Sequence, residues 1–210
     1  MNKNVEESRN QSNVVELMGE VAGLPVFSHE VFGEGFYIFE MLVPRLSDAT
    51  DLLPVMVSDR MCSIESIQLG NMYAITGQFR SYNKHEENKN RLMLSVFALE
   101  MNPVEEEEFK AVNNIKLEGY VCKGTEHRIT PLGREIADLL VAVNRPYGKS
   151  DYIPCIAWSR SARFVSELEV GTPIKLFGRI QSREYRKTLG NGETETKVAY
   201  EVSISRIERM

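Results

Sequence analysis

Histidine, cysteine and tryptophan are scarce in this chain of 210 residues, and it has no long apolar run. The three histidines, His29, His85 and His127, stand far apart. No phosphate-cradling glycine loop, nucleophile motif or clustered metal-ligand spacing accompanies them, so neither catalytic chemistry nor a cofactor is expected. His127 beside Arg128 reads as a surface or phosphate contact rather than a base. Three cysteines (Cys62, Cys122, Cys155) without CxxC spacing indicate neither a disulfide framework nor a zinc site, and read as buried thiols in a reducing compartment. No stretch approaches the ~18 apolar residues that span a bilayer, and the polar start of the chain lacks an apolar signal core. A cytoplasmic protein without membrane contact is expected.

What the chain does have is a copy of itself. Leu53-Pro54-Val55-Met56-Val57-Ser58-Asp59-Arg60 reads against Ile153-Pro154-Cys155-Ile156-Ala157-Trp158-Ser159-Arg160 at an offset of one hundred residues. The same offset pairs Leu17 with Leu117, Gly19 with Gly119, Gly33 with Gly133 and Arg45 with Arg145. After one inserted residue, Ile75 to Ser81 matches Leu176 to Ser182. Two versions of one small domain follow. They are unequal, because the second carries Tyr152, Trp158 and Tyr185 where the first carries Leu52, Ser58 and Lys84.

Charge is divided in the same way. Residues 1–110 hold nine Lys and Arg against eighteen Asp and Glu, whereas residues 111–210 hold sixteen against twelve. A basic second half suits a polyanion, and the acidic first half would repel one. Composition divides the chain into a disordered arm (1–12), a first domain with a depleted binding face (13–101), an acidic linker that keeps two domains apart (102–112) and a second, binding domain (113–210).

The elements read mostly as strands. Ile115 to Val121 alternates apolar and polar residues. Glu135 to Asn144 also fits a helical face through Ile136, Leu139, Leu140 and Val143, but its counterpart Phe36 to Val43 is aromatic and β-branched, which favours strand in both. A strand from Tyr152 to Trp158 precedes a short helix around Ala162, Val165 and Leu168, and a hairpin follows with strands Pro173 to Lys187 and Thr196 to Ile207 and a turn at Gly190-Asn191-Gly192. The expected fold is all-β: two tandem OB-fold five-stranded barrels, each with a short helix between its third and fourth strands.

Along the first hairpin strand, Ile174, Leu176, Gly178 and Ile180 share one parity, and Lys175, Phe177, Arg179, Gln181, Arg183, Tyr185 and Lys187 share the other. Cations interleaved with aromatics suit a single strand of nucleic acid, since the cations neutralise phosphates while aromatic faces stack on unpaired bases. In the preceding strand Ile153, Cys155 and Ala157 suit the interior, which leaves Tyr152, Pro154, Ile156 and Trp158 outside, with the two aromatics roughly 20 Å apart. Tryptophan is more often core than platform; the Ser58 counterpart argues here for the platform.

Thr130-Pro131-Leu132-Gly133, Leu140 to Arg145, the Tyr152 to Trp158 strand and Gly178 to Tyr185 resemble the bacterial single-stranded DNA-binding protein family over nearly all of the second copy. The resemblance implies an OB-fold, sequence-tolerant binding of single-stranded DNA in replication, recombination or repair, no cofactor, and an assembly of four OB domains, here a homodimer. It implies base stacking by Tyr152, Trp158 and Tyr185 and a DNA-contacting loop after Asn144-Arg145, and with Phe177 and the cations Arg145, Lys149, Arg160, Lys175, Arg179, Arg183 and Lys187 these form the candidate interface. The acidic tail usual in the family does not follow Ser205 to Met210, which puts tail-mediated recruitment in doubt and leaves replication or repair proteins open as partners. Two other readings stay open: an OB-fold protein-interaction adaptor of a replication or primosome-like assembly, and a single-stranded RNA binder.

Overall fold

The computed structural model describes residues 12–86, 89–188 and 192–210. Residues 1–11 of the expected arm, and Gly190 and Asn191 of the expected turn, lie outside these. Eleven strands form among the described residues: β1 (Asn13–Val21), β2 (Val26–Val31), β3 (Glu34–Pro44), β4 (Thr50–Ser58), β5 (Met72–Glu86), β6 (Lys89–Pro103), β7 (Asn113–Ile129), β8 (Glu135–Asn144), β9 (Ser150–Trp158), β10 (Pro173–Thr188) and β11 (Thr194–Arg209). One helix, α1 (Arg160–Ser166), lies between β9 and β10. No helix among the described residues is long and apolar enough to cross a membrane.

The fold is mostly β, and its strands close two rings. In the second half β7, β8, β9, β11 and β10 are neighbours in that order, and β10 pairs back onto β7. In the first half β1, β5, β6, β4 and β3 do the same, with β3 returning to β1. Two-residue periodicity explains why these segments are strands. In β8 the residues Ala137, Leu139, Val141 and Val143 all reach the core, so alternation prevails over the helical spacing that the same segment also offers. Each ring bends at a bulge opposite a glycine, between Phe177 and Gly178 and between Thr76 and Gly77. A Cβ on Gly178 would collide with the carbonyl oxygen of Ser203, and one on Gly77 with that of Phe97. The glycine is thus required by close backbone approach at both places.

Three expectations need correction. The first half has no helix between β4 and β5, only a 3-10 turn at Ile64–Ser66. Its segment is held by short local bonds, such as the Ser66 hydroxyl to the Ser63 carbonyl and the Gln68 amide to Asn71 Oδ1, and Ile67 enters the core where the second half uses Ala162 and Val165. The first half also has a sixth strand, because β2 folds against β3 through a two-residue turn, Phe32-Gly33, in which both residues have positive φ. The acidic segment, finally, does not hold the halves apart. β1 pairs antiparallel with β7 from Asn13↔Leu117 to Leu17↔Asn113, which makes one eleven-stranded sheet.

Candidate nucleic-acid interface

β9 turns Asp151, Ile153, Cys155 and Ala157 inward, all at most 2 % exposed, so Tyr152, Pro154 and Trp158 face outward, whereas Ile156, expected outside with them, is buried where β9 pairs with β11. Tyr152 is 40 % exposed. Trp158 is half-buried: it is paired with Ile136 of β8, and its Nε1 donates to Ser203 Oγ on β11 at 3.1 Å. On β10 the residues beyond Ser182 form a free two-stranded ribbon with β11, which leaves Arg183, Tyr185 and Lys187 exposed, Tyr185 at 39 %. Pro154 joins the two strands into one surface. It lines a 420 Å³ cleft in which Lys123, Arg128 and Arg183 stand against Glu126, Asp138 and Glu201, and it also borders the cleft that holds Tyr185 and Lys187.

The remaining predicted residues are dispersed. Lys175 and Lys187 share a parity on β10 but lie twelve residues apart, about 40 Å of extended strand. Lys175 Nζ lies 3.1 Å from Glu118, and Phe177 sits half-buried beneath the Arg206 guanidinium, 4.3 Å from the ring centroid. Lys149 is exposed in the β8–β9 loop, and Arg160 is exposed at the start of α1. Arg183 Nε stands 3.5 Å from Glu201.

Arg179 reaches across the junction of the halves, and Arg145 stands against the Asp151 carboxylate, which itself spans it. The Asp51 carboxylate, with no exposed surface, accepts two hydrogen bonds from Arg45 (2.6 and 2.8 Å) and one from the Ser182 amide across the junction (2.8 Å). Arg179 Nη1 approaches the same carboxylate to 3.5 Å, and the Leu52 amide donates to Ser182 Oγ. The repeat places the reciprocal set on the other side. Asp151, equally buried, accepts from the Ser81 amide at 2.7 Å, lies 3.2 Å from Arg145 Nε, and is followed by Tyr152, whose amide donates to Ser81 Oγ. Burial dominates the electrostatics here: it raises Asp151 above the usual carboxylate range, lowers Arg179, and with Arg145 nearby pushes Arg80 down to about 10. Arg45, in contrast to Arg80 and Arg179, rises, chiefly through its hydrogen bond to Asp51.

The first ring keeps aromatics that comparison at the offset of one hundred missed. Val55 of β4 pairs with Val96 as Cys155 of β9 pairs with Val202, so Phe97 occupies the position of Ser203. The exchange is reciprocal in position: the second ring has Trp158 and Ser203, hydrogen-bonded to each other, where the first has Ser58 and Phe97. Phe36 lies 5.8 Å from Phe97, His29 stacks on Phe36 at 5.0 Å, and the Arg80 guanidinium covers Phe97 at 3.7 Å. The Ser58 hydroxyl donates to Glu34. Following the repeat through the inserted residues into the last strand is the signal that would have revealed Phe97.

Comparison with known proteins adds four findings. The model of the single-strand binding protein family matches residues 112–210. Single-stranded DNA-binding protein 1 of Streptococcus pyogenes is 34 % identical over 97 residues, covering 43 % of this chain and 75 % of that protein. The single-stranded DNA-binding protein of Halalkalibacterium halodurans is 33 % identical over 97 residues, and there the match covers 43 % of this chain and 58 % of the relative's length. Among solved structures, the single-stranded DNA binding protein from Thermus aquaticus aligns over 94 % of this chain and 92 % of its own, with a TM-score of 0.76 at 19 % identity, a likeness of fold. The residues shared with the Streptococcus protein, together with the family match across β7 to β11, place this chain in the single-strand binding protein family.

Proposed function

We propose that the chain binds single-stranded DNA without sequence preference, working in the cytoplasm in replication, recombination or repair, as a binding protein rather than an enzyme. The two rings act as tandem OB barrels, 13–101 and 113–210. The second supplies the binding face, with bases stacking on Tyr152, Trp158 and Tyr185 and phosphates meeting Lys149, Arg160, Arg183 and Lys187. The observation that carries this reading is the pair of outward tyrosines, each about two-fifths exposed, on adjoining surfaces flanked by cations. Accessible rings beside cations are what base stacking along a neutralised backbone needs. Lys175 and Phe177 extend the track, while Arg145 and Arg179 position it through the junction they help to hold.

Neutralising four to six phosphates releases counterions, so log K should fall with log salt at a slope of about −3 to −4. Titration of the chain with oligo-dT at several salt concentrations measures this, with duplex and RNA of matched length alongside. A slope near zero would refute the phosphate track.

One observation favours a second reading, that of a protein-interaction adaptor. Strand β2 is exposed throughout, and Phe32 at its tip is 98 % exposed with a positive φ, a conformation unfavourable for a bulky residue. An adaptor would associate with weak salt dependence.

Pairing of two chains completes a four-barrel assembly, as the resemblance implies. Light scattering should then return about twice the chain mass of 23.9 kDa. A concentration-independent monomer removes the assembly.

A further inference from the structure

Strand β2 ends the eleven-stranded sheet. One of its edges pairs with β3 and the other with no strand among the described residues, whereas β10, at the opposite end, closes back onto β7. In the second half α1 lies beside the corresponding stretch of β7, where the Thr125 hydroxyl donates to the Val165 carbonyl at 3.3 Å. The first half has only its 3-10 turn in place of that helix, and β2 is exposed along its whole length. A bare edge is a template for another chain, and natural edges are usually blunted by Lys, Pro or inward-pointing charge. β2 contains neither Lys nor Pro.

The repeat shows what this hairpin has in place of charge. Where β7 and β8 set Glu126 opposite Asp138, His127 opposite Ala137 and Arg128 opposite Ile136, β2 and β3 set Val26 opposite Ile38, Phe27 opposite Tyr37 and His29 opposite Phe36. Val26 is 65 % and Phe27 56 % exposed, and Leu24, Val31 and Phe32 extend the apolar surface to the tip. From residue 22 to residue 44 the chain contains Glu30, Glu34 and Glu40 and no Lys or Arg. Arg60 reaches Glu34 at 3.5 Å, while Glu30 and Glu40 are exposed. The hairpin holds no counterpart of Lys123 or Arg128, so a polyanion gains nothing here. Apolar side chains beside carboxylates suit a chain that is both apolar and cationic.

We infer that β2 is a docking edge for an extended segment of another protein in which Lys or Arg alternates with apolar residues. The segment adds a strand to the free edge, with its apolar side chains on Val26, Phe27 and Phe32 and its cations toward Glu30. Main-chain hydrogen bonds give the affinity, and the side chains on either side select the partner. Such docking goes beyond single-strand binding and does not depend on it. It gives the adaptor reading a defined edge and a partner of defined chemistry.

The test titrates the full chain against a fluorescent peptide of alternating Lys and Val, about eight residues long, an ordinary strand length. Peptides of alternating Lys and Pro, which cannot pair as a strand, and of alternating Glu and Val serve as comparisons. The Lys and Val peptide should bind at least about tenfold more tightly than either, and hydrogen exchange should show its binding protecting the amides of β2. Val26→Lys and Phe32→Gly should each weaken it by about tenfold, the loss of one covered apolar side chain, and leave oligo-dT affinity unchanged. Both positions are exposed and glycine accepts the positive φ at 32, so thermal melts should match the wild type. No binding of the Lys and Val peptide, equal binding of the Lys and Pro peptide, unprotected β2 amides, or full affinity in both variants would overturn the docking edge. Loss of oligo-dT affinity in both variants would assign the hairpin to nucleic acid instead, and a dimer that Val26→Lys splits would assign the edge to a second copy. A wild type that binds the Lys and Val peptide but no oligo-dT would sink the proposed function and leave the docking edge standing.

Discussion

Replacing Asp51 by Ala is expected to destabilise the chain by about 3 to 5 kcal/mol, in the range for removing one partner of a buried ion pair. Four groups converge on that carboxylate: the Arg45 fork, the Ser182 amide, the Ser182 hydroxyl and Arg179. Removing it takes the shared acceptor from the Arg45 and Arg179 guanidinium groups and the Ser182 amide, at a point where the carboxylate has no exposed surface. Ser182→Ala should cost less, about 1 kcal/mol, because a neutral hydrogen bond contributes less than a buried charge. Chemical denaturation measures both. An Asp51→Ala variant within 1 kcal/mol of wild type would mean that the carboxylate does not hold the halves together. A large loss carried by Asp51 would also explain why Arg179 is a poor choice as a free phosphate contact, since it already stands against that carboxylate.

Removal of the stacking rings should weaken single-strand affinity by about 1 to 3 kcal/mol for each of Tyr152→Ala, Tyr185→Ala and Trp158→Ala. The tyrosines give the cleaner comparison. Their rings are exposed, so truncation should leave the melting temperature nearly unchanged, whereas Trp158 is half-buried against β8 and β11 and its loss should lower stability as well. A Ser58 substitution in the first half should leave affinity unchanged. Isothermal or anisotropy titrations against oligo-dT, paired with thermal melts, distinguish these effects. Full affinity in Tyr152→Ala and Tyr185→Ala would show that the bases lie elsewhere.

How much of this was legible follows from the range of each interaction. Strand periodicity placed β7 to β11 and turned Tyr152 and Tyr185 outward, because alternation is local and survives folding. Parity along β10 also put Arg179 on the outer face, which is correct; at that point, though, the outer face is covered by the other half. Asp51 and Ser182 are 131 residues apart, and nothing local to either announces the contact. The pairing of β1 with β7 was hidden in the same way, and it turned an expected spacer into a short connection within one sheet. The aromatic exchange between Trp158 and Phe97 escaped because the repeat changes offset before its last strand. The short helix failed in the first half because local polar bonds and Ile67 replace it there.

The most direct measurement is a titration of the full chain with oligo-dT of about 30 nucleotides, followed by the emission of Trp158, the chain's one tryptophan. Stacking predicts saturable quenching that added salt reverses and that duplex of the same length does not produce. Unchanged emission at saturation, or duplex binding as tight as single-strand binding, would contradict the account.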